Sequence, residues 1–163
     1  MVKAVVCLAL LLAFGSAWAD WEVRVEWDPM TDKRKASAWT ISEDGHRFGF
    51  WFPEDGSVRA TLNRPQFALR GFHEQLLPQY RVDREVPVDL LNAKTELQVK
   101  IKGGAMGWKA SDDRTKPSAP LRAILAGKHL LLRYFDADGE QHDVSFNIDG
   151  AERAFILAAE LQQ

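Results

Sequence analysis

Residues 36–62, ASAWTISEDGHRFGFWFPEDGSVRATL, decide the fold, because two aspartate-glycine turns divide them into three short runs of alternating apolar residues. That pattern predicts an antiparallel meander. Asp44-Gly45 fits a two-residue hairpin turn, which sets Ile41 opposite Phe48 and Trp39 opposite Phe50. Glu54-Asp55-Gly56 fits a three-residue loop with glycine in the left-handed position, which sets Phe52 opposite Val58, Phe50 opposite Ala60 and Phe48 opposite Leu62. Both turns place Phe48 and Phe50 on one apolar face, and a one-residue slip would expose them. The reverse face carries Thr40, Arg47, Gly49, Trp51, Arg59 and Thr61. There Trp51 falls opposite Arg59, which suits either a stacked pair shielding the sheet or an aromatic contact surface.

Working outward, Trp21 to Trp27 alternates without a fault, with Glu22, Arg24 and Glu26 on the polar side, as a half-buried strand does. Gln79 to Asp83 reads as a strand with Tyr80 and Val82 on one side, and Glu96 to Lys102 as another through Leu97, Val99 and Ile101. Lys109 to Pro117 reads as an exposed loop. Ser118 caps a short helix bearing Leu121, Ile124 and Leu125, which Gly127 stops. A hairpin around Ala137-Asp138-Gly139 pairs Leu132 with Val144, Leu130 with Phe146 and Arg133 with Asp143. Asp149 and Glu152 suit a capping box for a final helix carrying Ala151, Ala154, Phe155 and Ala158. The class predicted is α+β and β-rich: an antiparallel sandwich or partly closed barrel of about eight strands, with two short helices in the C-terminal part.

The N-terminus has a different character. Lys3, an apolar run from Ala4 to Phe14, and Ala17-Trp18-Ala19 ahead of Asp20 read as a cleavable secretory signal peptide over 1–19. The run is too short to span a bilayer, so the expected product is one exported domain, 20–163, periplasmic or secreted and without a transmembrane segment. Cleavage removes Lys3 and no acidic residue, leaving 20 basic and 23 acidic residues and a net charge of −3. The two signs are interspersed, which argues against nucleic acid as a partner. The one cysteine, Cys7, leaves with the leader, so the mature chain has neither disulfide nor thiol chemistry.

Leu121 to Leu161 resembles the C-terminal part of the invasion-associated locus B family of bacterial exported proteins. The matching order is a short apolar helix, Ala126-Gly127-Lys128, a strand His129 to Phe135, Asp138-Gly139, a second strand, then Asp149-Gly150-Ala151 opening a helix. Asp20 to Trp27 resembles that family's tryptophan-led first strand. The resemblance implies a small periplasmic β-rich protein, linked in some bacteria to host-cell entry, and carries over no catalytic residue. Family members generally carry cysteine pairs, which the mature part of this chain lacks.

Chemistry-bearing residues do not assemble into a familiar motif. His46, His73, His129 and His142 include no zinc-spaced pair; His142 pairs with Tyr134 and His129 with Asn147, on different rungs. No serine stands in a nucleophile motif. Asp136-Ala137-Asp138-Gly139-Glu140 places carboxylates at alternate positions, as part of a calcium loop does, but the hairpin already accounts for them. No cofactor or metal is expected. Gly103 to Trp108 is apolar and glycine-rich, and reads either as a binding edge tipped by Met106 and Trp108 or as a cover over the end of the core. The expected function is a non-enzymatic interaction module that binds an envelope or host protein through Trp51, Arg59, Trp108 and Met106. A carrier with a barrel-like cavity for a small ligand is the alternative, and a hydrolase built on His46 or His142 with a carboxylate is a third.

Overall fold

The computed structural model describes residues 20–162 apart from 67, 69, 77, 91–93 and 103; the signal peptide expected over 1–19 lies outside the described residues. Among the described residues, ten strands form two antiparallel sheets in an open sandwich, not a closed barrel. The larger sheet has the order β1-β2-β3-β4-β8-β7, built from Glu22–Asp28 (β1), Lys33–Ile41 (β2), Arg47–Trp51 (β3), Val58–Asn63 (β4), Lys100–Lys102 (β7) and Ala105–Ser111 (β8). The smaller has the order β10-β9-β5-β6, from Gln79–Val82 (β5), Val88–Asp89 (β6), His129–Phe135 (β9) and Gln141–Asn147 (β10). Helices Ala119–Ala126 (α2) and Ala151–Leu161 (α3) complete the domain, with a single turn at Lys94–Leu97 (α1).

The three Asp-Gly turns that close hairpins adopt one geometry. Gly45, Gly56 and Gly139 take φ of +85°, +80° and +84°, and each donates its N–H to the carbonyl three residues back. The first turn is therefore a three-residue loop, Glu43-Asp44-Gly45, closed by Ser42 N–H donating to the His46 carbonyl at 2.9 Å. This corrects the register expected for β2 by one residue: Thr40 faces Phe48, and Ala38 faces Phe50. The register expected for β3 with β4, and for β9 with β10, holds rung by rung.

Volume explains the shift. One inner-face row reads Val23, Ala38, Phe50, Ala60, Trp108 across five strands, alternating small with large. Trp39 in place of Ala38 would crowd Phe50, against which Trp21 already stacks at 5.8 Å. The inner face is covered in two parts. Phe155 of α3 packs edge-on against Phe50 and Phe52, while Phe146 and Tyr80 of the smaller sheet meet Phe48 and Trp108. The space between the layers is thus filled with rings.

Other expectations shift for local reasons. The alternation from Glu96 to Lys102 yields only β7, because α1 takes its first half and Gln98 sits at φ +48°. The segment read as a loop at Met106 and Trp108 is β8, inserted between β4 and β7. Ser118 caps α2 as expected, its Oγ accepting from Leu121 N–H at 3.3 Å. Asp149 does not cap α3; Gly150, at φ +86°, holds that position. The chain enters it through a turn in which Asn147 Oδ1 accepts the Asp149 N–H. Trp108→Ala should cost about 3–5 kcal/mol in urea denaturation, whereas Trp51→Ala should stay within about 0.5 kcal/mol. Equal losses would contradict this placement of the two indoles.

Candidate functional site

The four residues expected to bind a partner do not share a surface. Met106 and Trp108 are each 1% exposed, and Trp108 stacks on Tyr80 with ring centroids 5.9 Å apart. Both belong to the core, because β8 is an interior strand whose even-numbered residues point inward. Trp51, 44% exposed, and Arg59 lie directly opposite each other on the outer face of the larger sheet. Their side chains do not form the expected stack: Arg59 Nη2 donates to Gln98 Oε1 at 2.7 Å. The cation–aromatic pair on this face is instead Arg47 over Trp39, 4.6 Å from the ring centroid.

Sequence reasoning missed that pair because its register put Trp39 inside. Gly49, opposite Trp39, was the available signal. A Cβ there would lie 2.6 Å from the Trp39 Cβ and 2.3 Å from the Ala38 carbonyl oxygen, so only glycine lets Trp39 sit against this strand. Neighbouring rungs bring Ile41 and Trp51 to the same face, where Ile41 is 50% exposed.

Charge segregates across the sheet with the period of the strands. Three outer-face rows read Ile41, Arg47, Asn63, Ala105, Lys102; Glu22, Trp39, Gly49, Thr61, Gly107, Lys100; and Arg24, Ser37, Trp51, Arg59, Lys109. Six cations thus share these rows with one carboxylate, in a chain whose overall balance is acidic. Arg24 and Lys109 have carboxylates of their own nearby, Glu26 at 3.2 Å and Asp112 at 2.6 Å. The face is positively charged and aromatic, the combination that attracts an acidic partner from solution and offers it rings on contact.

A second polar cluster ties the two sheets together at one end. His46 is buried, with Nε2 2.9 Å from the Tyr134 hydroxyl and Nδ1 3.0 Å from Asp44 Oδ1, the latter a close polar contact rather than an aligned hydrogen bond. Ser42 Oγ donates to the same Asp44 oxygen at 2.5 Å. Burial acts to raise the Asp44 pKa, but the Ser42 hydrogen bond and the adjacent His46 ring outweigh it and hold the carboxyl below its usual range. Aspartate therefore stands between serine and histidine, while Nε2 faces a phenol. Activating a nucleophilic serine needs the imidazole between the two.

Beyond Tyr134, whose ring stacks on His142 at 5.0 Å, His142 Nε2 lies 3.2 Å from Asp136 Oδ2. Asp136 is 2% exposed, and its Oδ1 accepts the N–H groups of Asp138 and Glu140. Burial pushes its pKa up, but the Glu140 amide, His142 and the Asp138 amide together bring it down to about 2. Asp136, Glu140 and His142 also bring potential ligand atoms within 4.8 Å of one another. Arg70 already supplies positive charge there, with Nη1 2.6 Å from Asp138, 3.6 Å from Asp136 and 3.9 Å from Glu140. His129 stands on another rung, opposite Asn147.

Comparison with protein-family models, with curated proteins and with solved structures finds no match.

Because the Asp136 pKa is lower in the folded chain than in the unfolded one, its ionised form stabilises the fold above about pH 4. That stabilisation is lost as pH falls from 4 towards 2. Asp136→Asn should lower the melting temperature at pH 7 and flatten its decline between pH 4 and pH 2. Melting curves that run parallel for the two proteins over that interval would contradict the assignment.

Proposed function

We propose that this chain is an exported, non-enzymatic interaction module that binds an acidic envelope or host protein through the outer face of its larger sheet. The observation that carries this reading is the grouping of Trp51, Ile41 and the Arg47–Trp39 pair within rows holding six cations and one carboxylate. Exposed aromatic and arginine side chains are the residues that contribute most at protein interfaces. The leader-like first 19 residues and the likeness to the invasion-associated locus B family support export to the periplasm or beyond.

Two other readings have less support. A carrier needs interior room, and the space between these sheets is taken up by Phe48, Phe146, Trp108 and Tyr80. A hydrolase would draw on His46 with Asp44 or His142 with Asp136, but both imidazoles are engaged by structural partners. No described helix is long and apolar enough to cross a membrane.

A photoreactive residue at position 51 should crosslink a partner in the native envelope, and the adduct should fade as salt is raised, since screening weakens surface attraction. The same probe at Glu152, exposed on α3, serves as control. Adducts no stronger at 51 than at 152, or adducts insensitive to salt, would contradict this reading. An adduct with nucleic acid instead of protein would contradict the partner class.

A further inference from the structure

We propose that two copies of this chain associate through β1, pairing antiparallel across a two-fold axis at Val25 and joining their larger sheets into one. The strand is long, lies at the edge of the sheet and is incompletely covered: Val25 is 41% exposed and Trp27 57%. Both sit on the inner face, where α3 protects the start of the strand but not its end. The limit of that cover is marked by Gln162, just past the helix. Its side-chain amide accepts the Ala36 N–H at 2.7 Å and donates to the Arg34 carbonyl at 2.8 Å. Ala36 and Arg34 are the rungs opposite Val25 and Trp27.

An unpaired strand edge invites another strand, and proteins usually blunt it with lysine, proline or brevity. The opposite edge of this sheet follows that rule, since β7 has three residues and two are lysines. β1 does not. Its sequence, Glu-Val-Arg-Val-Glu-Trp-Asp, complements itself when reversed. With Val25 on the axis all seven residues find partners. Arg24 meets Glu26 of the second copy, Glu26 meets its Arg24, and Val23 and Trp27 meet each other twice on the apolar face. The terminal pairing of Glu22 with Asp28 is eased by Lys35, 2.9 Å from Asp28.

Other registers are shorter or worse: Val23 on the axis keeps Glu22 against Arg24 but pairs three residues of each β1 instead of seven. Arg24 on the axis would oppose itself and set Glu22 against Glu26, and Glu26 on the axis would oppose itself. An odd offset would turn the apolar face of one strand towards the charged face of the other. The partner this edge fits best is therefore its own copy. The resulting dimer is isologous, as symmetric dimers are, and it places two outer faces side by side.

Sedimentation equilibrium of the full chain should give twice the mass of the denatured chain. Arg24→Glu, which opposes Glu26, should halve that mass without changing the circular dichroism of the folded chain, and should make its melting temperature independent of protein concentration. The reversal Arg24→Glu/Glu26→Arg should restore the dimer. A native chain that sediments as a monomer at every concentration, or a dimer that persists in Arg24→Glu, would overturn the proposal; so would a double variant that stays monomeric. The proposal is independent of the outer-face reading, because crosslinking from position 51 and mass can fail separately.

Discussion

The contact between the inward rings of β3, Phe48 and Phe50, and the residues flanking them, small on every side but that of Leu62, is what the rest of the molecule depends on. Phe50 stands between Ala38 and Ala60, and Phe48 between Thr40 and Leu62. These gaps let Trp21, Phe155, Phe146 and Trp108 reach the same two rings from different directions. Close-packed interiors tolerate little change in volume. With no cysteine among residues 20–163, interlocked rings rather than crosslinks hold the layers together. The three left-handed glycines of the hairpin turns serve this end, because each fixes which residues enter the interior.

Much of this architecture was legible in the sequence. Alternation found β1, β2, β3, β4, β5, β9 and β10, and the Asp-Gly turns gave two of three hairpin registers at once. The third failed for a specific reason. A two-residue loop buries Trp39 and Ile41, the choice hydrophobicity favours. The structure buries Ala38 and Thr40 instead, because the volume beside Phe48 and Phe50 is already occupied. That information lies in residues far along the chain, such as Phe146 and Phe155, and no local pattern contains it. β8 was missed in a related way: Gly107, with Gly103 and Gly104 just before the strand, reads as a loop until β4 is seen beside it, with Gly107 opposite Thr61.

The candidate site was legible only in part. Alternation puts Trp51 and Arg59 on the correct face and the correct rung, whereas it leaves Trp108 and Met106 open between a binding edge and a cover over the core, and they lie in the core. The outer face as a unit needed the order of the strands. Arg24, Arg47, Arg59 and Lys100 are spread over almost half the chain, among enough acids to look balanced. Only when β1, β3, β4 and β7 share a sheet do their cations collect on one side of it. The slip that placed Trp39 inside also hid the Arg47–Trp39 pair, so an error in register left the candidate face incomplete.

The register of β2 against β3 is the point at which turn chemistry, core volume and outer face meet. Nuclear Overhauser contacts between backbone protons of the labelled protein read it directly. Cross-strand contacts should link Thr40 with Phe48 and Ala38 with Phe50, leaving the Trp39 ring near Arg47. Contacts linking Ile41 with Phe48 and Trp39 with Phe50 would put both apolar residues inside and contradict the account.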